Sequence, residues 1–262
     1  TIHISDRGHF GVTRLKHSEE KVDALGYVAQ NRDIGRVLYQ RIENSSNIRL
    51  FCPAKPTLIE QGDDDVVVSM EVNGETKKIS AQLLVAADGV SSQVRKMLQI
   101  GIAQQDYRQS AVITNVTPGQ AHQNVAYERF TDTGPIAFLP MSDNRCSVVW
   151  TIPTEQAEQL VDCTDAVFLA QLQTRFGYRL GKFQQVGKRH VYPLVLTEST
   201  QVVRGRVVVV GNAAHNLHPV AGQGFNLALR DITLLAEYIA DASDAGSPTL
   251  LHAYVEEREA DV

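Results

Sequence analysis

Four consecutive valines at residues 207–210 run straight into the loop GNAAHNLHPVAGQG at 211–224, and no other stretch constrains the fold as much. A continuous apolar run bounded by glycine is what a strand buried on both faces of a parallel sheet looks like. Beyond the loop, Leu227, Ile232, Leu235 and Ile239 recur at helical spacing. The sequence therefore predicts a buried strand, an irregular glycine-rich loop and a helix in succession. Gly222, Gln223 and Gly224 fall where that helix begins, and a helix start offers unpaired amide donors and about half a positive charge. Such a turn suits a phosphate, a carboxylate or a delocalised anion. Spacing alone leaves a loop without a ligand equally open.

The 262 residues are ample for one large domain or two smaller ones. Lys plus Arg number 25 against 30 Asp plus Glu, a formal charge of −5 spread along the chain, which argues against electrostatic capture of nucleic acid. No stretch reaches the roughly 18 apolar residues that span a bilayer. The expectation is a soluble, cytoplasmic chain, with peripheral contact at an inner membrane left open. Cys52, Cys146 and Cys163 are far apart with no CxxC, which fits a reducing compartment and no disulfide frame. His215 and His218 stand three apart, but no third ligand accompanies them and Pro219 follows directly, so no metal site is expected.

Along the chain, Ile34, Val37, Leu38 and Ile42 predict a helix over about 31–42, followed by a short strand NIRLFCP. VVVSMEV, then Asn73 and Gly74, then a run ending in LLVAADG predict a β-hairpin whose second strand ends at Asp88 and Gly89. Ser91 or Ser92 can cap the helix SSQVRKML. From about 106 to 199 come the strand-like runs SAVITNV, VAYERF, IAFLPM, CSVVWTI and HVYPLVL, interrupted by one helical segment over about 154–176. The reading is an antiparallel sheet domain (106–197) inserted into a first domain (1–105 and 198–262). The opening TIHISDRGHFG has no Met or targeting segment, and LLHAYVEEREADV stops inside a helical pattern. Both ends are expected to be cuts in a longer chain.

VAADGVSSQVR and GNAAHNLHPVAGQGFNLALRD resemble, in order and spacing, the two flavin segments of the aromatic-ring flavoprotein monooxygenases built on the p-hydroxybenzoate hydroxylase fold. FTDTGPIAFLPMSDNRCSVVW adds a likeness to the ubiquinone-biosynthesis ring hydroxylases, and among them to the 2-octaprenyl-6-methoxyphenol hydroxylases. Two features depart from the family. Its GxGxxG dinucleotide fingerprint is nowhere in this sequence, and Asn212 stands where the family usually has Asp. The resemblance thus implies an α/β (α+β) fold: a truncated Rossmann-like FAD-binding domain, lacking its N-terminal βαβ unit, with an inserted antiparallel-sheet substrate domain.

The same resemblance implies FAD as cofactor, weakly held or lost without the missing unit, and NAD(P)H as co-substrate. It places Asp88 and Gly89 near the pyrophosphate, Asn212 at the ribityl-phosphate region and Pro219 against the isoalloxazine. Gly222, Gln223, Gly224 and Asn226 fall near the pyrimidine edge, where a helix start stabilises charge on the reduced ring. Asp88 and Gly89 are equally well explained as turn residues. Arg32 and Arg36 could reach phosphates or simply form a solvated helix face; Phe138, Trp150 and Tyr192 could line a substrate pocket or be core. No side chain stands out as a catalytic acid or base. The implied reaction is hydroxylation of a prenylated phenol with O₂, in contact with a membrane surface or a multiprotein ubiquinone-biosynthesis complex. A non-catalytic scaffold module is the rival reading, as is a reductase or halogenase on the same framework. VVWTIP has one Trp where a halogenase usually carries two, which counts against the last.

Overall fold

The computed structural model describes residues 1–217 and 222–260, the last two of these by backbone alone. In chain order it begins β1 (Ile2–Asp6), β2 (Val12–Leu15), α1 (Asn31–Glu43), β3 (Lys55–Gln61), β4 (Val66–Val72) and β5 (Glu75–Ala81). Next come β6 (Leu84–Ala86), α2 (Gln93–Met97), β7 (Ile102–Thr117), β8 (Ala126–Phe130), β9 (Ile136–Met141) and β10 (Arg145–Pro153). Then follow α3 (Thr154–Asp162), α4 (Asp165–Phe176), β11 (Gln185–Val186), β12 (His190–Ser199), β13 (Val203–Arg204) and β14 (Val207–Val209). A 3-10 turn (Gly211–Ala213), β15 (His215–Asn216), α5 (Gln223–Ala240) and α6 (Pro248–Ala260) complete it. Two compact units result: Thr1–Ser46 with Arg108–Leu194, and Asn47–Tyr107 with Val195–Val262. The first 46 residues group with the sheet segment, unlike the expected division at 105/106, because β1 pairs in parallel with β8.

In the first unit the strand order runs β7-β10-β9-β8-β1-β2, antiparallel except at β8·β1. Alternation sends one set of side chains to a single face: Val112, Val148, Trp150, Ile136 and Phe138 are buried there under Leu160, Phe168, Leu172 and Phe176 of the two helices. The single helix expected over 154–176 is in fact two. Thr164 adopts an extended backbone and its Oγ1 accepts from Val167 N at 3.4 Å, so it stops α3 and caps α4. The other face, along Ile4, Glu128, Ala137, Val149 and Ile113, is only half-buried. Helix α1 forms as its periodicity predicts, yet none of its residues is buried.

In the second unit β3-β4-β5 form a small antiparallel sheet. Its β4–β5 turn uses Asn73 and Gly74 at φ 53° and 83°, the left-handed pair that a two-residue hairpin needs. The hairpin's second strand stops at Ala81, and residues 84–86 leave it to pair in parallel with β14, Val207 opposite Leu84 and Val209 opposite Ala86. LLVAADG is therefore not the end of the hairpin: its apolar run is drawn to the valines, which are buried completely. NIRLFCP is not a strand either: it joins no sheet, and Ile48 and Leu50 stay half-exposed. Beneath β14, Val208 and Val210 pack on Leu235, Leu251 and Tyr254 of α5 and α6. Arg206 fastens this layer, its guanidinium donating to both carboxylate oxygens of Asp244 at 2.7 and 2.9 Å and to Asp63 O at 2.7 Å.

Candidate functional site

The parallel pair β6·β14 sets the site. Val210 N donates to Ala86 O at 2.9 Å, so Asp88 and Gly89 follow one strand end and Gly211 and Asn212 follow its neighbour. Ligands of open α/β sheets bind outside the carboxyl ends of such strands. Gly89, Gly211 and Gly222 have φ of 81°, 59° and 62°, which glycine adopts without strain. A Cβ placed on Gly89 or Gly222 would meet no atom of the described residues within 4 Å. Backbone conformation therefore explains these two glycines, and the surface they leave bare is free for a ligand.

Helix α5 starts from Gly222 in the left-handed conformation. Gly222, Gln223 and Asn226 are exposed, and Asn226 Nδ2 donates back to Gly222 O at 3.4 Å. The turn is open. Its first-turn amides point away from an 18-residue helix whose dipole adds positive character there. Asn212 is likewise exposed. These features suit a planar ring or a phosphate of a dinucleotide, so the residues present fit FAD. Pro219 and His218 lie outside the described residues.

Asp88 is engaged locally: its Oδ2 accepts from Gln93 N at 2.7 Å and Val94 N at 3.1 Å, capping α2 beside Ser92, whose Oγ accepts from Arg95 N at 3.0 Å. Partial burial works against its charge, but the hydrogen bonds from Ser92, Val94 and Gln93 outweigh it and hold the carboxyl below its ordinary range. Arg32 and Arg36 lie on α1, in the other unit, and Arg36 pairs with Asp33 at 3.3 Å on an exposed face. Phe138 and Trp150 are core: Phe138 sits 4.1 Å from Phe176 and 5.2 Å from Phe183 between ring centroids, and Trp150 meets Phe168 edge-on. Of the three pocket candidates only Tyr192 is exposed, at 53%.

The structure adds residues the sequence reading missed. His215, Asp231 and Arg258 form a buried cluster: Arg258 Nη2 donates to His215 Nδ1 at 2.9 Å, and Arg258 Nε lies 3.0 Å from Asp231 Oδ2. His215 Nε2 stands 3.7 Å from the same carboxylate. Burial pushes the His215 imidazole below its ordinary value against the pull of Asp231, with Arg258 adding to the depression. Burial likewise pushes the nearby Tyr254 phenol up to about 12. A cleft of about 610 Å³ opens beside the cluster, lined by Val202, Ala214, His215, Leu217, Leu251 and Arg258 among others. A signal was present: Asp231 falls between Leu227 and Leu235 at four-residue spacing, a charge set in an apolar stripe.

The fold is shared with solved structures of flavin-dependent enzymes, monooxygenases among them. The p-nitrophenol 4-monooxygenase PnpA of Pseudomonas putida shares the fold with a TM-score of 0.70, at 21% identity, over 87% of this chain and 58% of its own. The chain belongs to the FAD binding domain family, whose description matches residues 9–262. Among its relatives, the ubiquinone hydroxylase UbiL of Rhodospirillum rubrum is 38% identical over 234 residues, 88% of this chain and 54% of the relative. The 3-demethoxyubiquinol 3-hydroxylase of Escherichia coli is 33% identical over 229 residues, 87% of this chain and 58% of the relative. The chain thus spans little more than half the length of these two relatives.

Proposed function

We propose that this chain is the part of a flavin-dependent ring hydroxylase of ubiquinone biosynthesis that holds the isoalloxazine side of FAD, with a prenylated phenol as substrate and NAD(P)H and O₂ as co-substrates. The observation that carries the reading is the left-handed Gly222 at the start of α5, with Gln223 and Asn226 exposed, beside the strand end at Gly211. Family membership and the hydroxylase relatives support it.

On this reading Gly222, Gln223, Gly224 and Asn226 hold the pyrimidine edge of the ring, with Pro219 against its face. Asn212 and Gly211 meet the ribityl phosphate. Gly89 lets backbone approach the pyrophosphate, while Asp88 keeps its capping bonds and shapes that loop. FAD, when bound, supplies the oxygen chemistry. The chain's own contribution is positioning, and stabilisation of negative charge by the α5 amides. The FAD-binding role falls to 47–107 with 195–262 and substrate cover to the sheet of 108–194. A prenylated substrate favours work at a membrane surface or in a multiprotein assembly; among the described residues no helix is long and apolar enough to cross a membrane.

This chain by itself is expected to be inactive, so the test is turnover by the full-length, flavin-loaded protein that contains it, with a prenylated phenol, NADPH or NADH, and O₂. Hydroxylated phenol formed in step with NAD(P)H consumption is expected. Peroxide without product, or no flavin uptake, sinks the reading in favour of a reductase or a scaffold.

A further inference from the structure

On the helix-covered face of the first unit's sheet, where β2, β1 and β8 lie side by side, the register aligns Arg14 with His3 and Tyr127, and Val12 with Ser5 and Arg129. Arg179, from the chain after α4, joins them by donating from Nη1 to His3 Nε2 at 3.0 Å. Arg129 donates to Ser5 Oγ at 3.4 Å and to Arg175 O at 3.0 Å. Arg14 and Arg179 are exposed, while His3 is buried, with an Nδ1 that has no hydrogen-bond partner among the described residues.

The carboxylates nearby are already engaged. Asp132 takes Arg7 at 3.1 Å and Arg175 at 2.7 Å, and Asp6 takes His9 at 3.0 Å. Among the described residues, Arg14, Arg129 and Arg179 have no carboxylate within ion-pair distance. Their charges act on one another and on the rings between them. Burial lowers the affinity of His3 for a proton, and Arg179, Arg14 and Arg129 lower it further; Arg129 itself is lowered by burial, then by Arg179 and Arg7, against a smaller pull from Asp6. Three guanidinium groups gathered with no carboxylate in ion-pair contact repel one another, and an anion that bridges them removes that cost. A carboxylate satisfies one guanidinium fork, whereas a phosphate monoester offers three acceptor oxygens and close to two charges.

We propose that Arg14, Arg129 and Arg179, grouped around His3 and Ser5, form a binding site for a phosphate monoester. Two molecules could present that group: the ribose 2′-phosphate of NADPH or the headgroup of phosphatidic acid. The site does not draw on the flavin reading, because inorganic phosphate alone reports on it.

The experiment is calorimetric titration of the protein with inorganic phosphate, together with Arg14→Gln, Arg179→Gln and the exposed control Lys188→Gln. Binding is expected, weakened about tenfold in each arginine variant and by less than about twofold in the control. Among the described residues the Arg14 side chain has no hydrogen-bond partner, so R14Q leaves the fold intact and keeps the test valid should R179Q disturb His3. His3 gives a second readout: phosphate should raise the pH at which its imidazole titrates by NMR, and less so in R14Q. Tighter binding of NADPH than NADH, equalised in R14Q, assigns the nucleotide. Flotation with phosphatidic acid vesicles but not with phosphatidylcholine alone, lost in R14Q, assigns the lipid. Absence of phosphate binding, or binding by R14Q and R179Q as tight as by the parent, overturns the site.

Discussion

His215 accepts a hydrogen bond from Arg258 through Nδ1, which is possible only while that nitrogen carries no proton. Protonation would set an imidazolium N–H against a guanidinium, and burial opposes the charge as well. Its folded-state value is therefore depressed, so the unfolded chain binds the proton more readily. The sign follows: this contribution to stability is full above the ordinary value of 6.5 and is lost as pH falls through that value towards the depressed one. His3 adds a slope of the same sign. Replacing His215 by Asn should make the urea midpoint less sensitive to pH between about 7.5 and 5. It should leave the part due to His3; a variant with the full original slope would show that His215 does not titrate as argued. The sequence displayed His215 as a loop histidine because its partners stand 16 and 43 residues further on. Burial alone made it part of a cluster.

At the scale of elements, what could be read was whatever local chemistry decides. Asn73-Gly74 fixed a hairpin turn, four valines fixed a strand, and the pair Ser91-Ser92 marked the start of α2, where Ser92 is the cap. What escaped depended on partners distant in sequence. Leu84, Val85 and Ala86 look like a continuation of β5, and only the valines at 207–209 pull them into another sheet. The break between α3 and α4 was legible in principle, since Thr164 followed by Asp165 is a cap with an acidic first turn. Asp88 shows how a motif residue can have a local task. Asp88→Ala removes the acceptor of two α2 amides and should cost about 1 kcal/mol in chemical denaturation. Because its folded value is depressed, that stabilisation is present above the ordinary 3.8 and lost as pH falls below it. An alanine variant as stable as the parent at neutral pH would remove the capping role.

For the molecule as a whole, the two sequence segments that suggested a flavin do converge, because β6 and β14 are neighbours and their following loops leave from the same end. The Arg32 and Arg36 reading finds no such support: α1 is in the other unit and Arg36 is satisfied by Asp33. Sequence spacing could not distinguish these cases, since strand adjacency is a property of the folded chain. The convergence has an electrostatic consequence for the flavin-loaded protein. An 18-residue helix beginning at an open turn favours negative charge at its start. Two-electron reduction adds such charge to the pyrimidine edge. Gln223→Glu places a carboxylate at the first position of α5, offsets the helix dipole and should disfavour the reduced ring by about 1 kcal/mol. For a two-electron couple that is a drop in potential of about 20 mV. The same substitution leaves the fold unharmed, because acidic residues are favourable in a first helical turn. A potential titration of Gln223→Glu beside Gln223→Ala separates charge from side-chain loss: only the glutamate should move the potential down, and the shift should shrink as salt is raised. If both variants match the parent, the start of α5 does not face the ring.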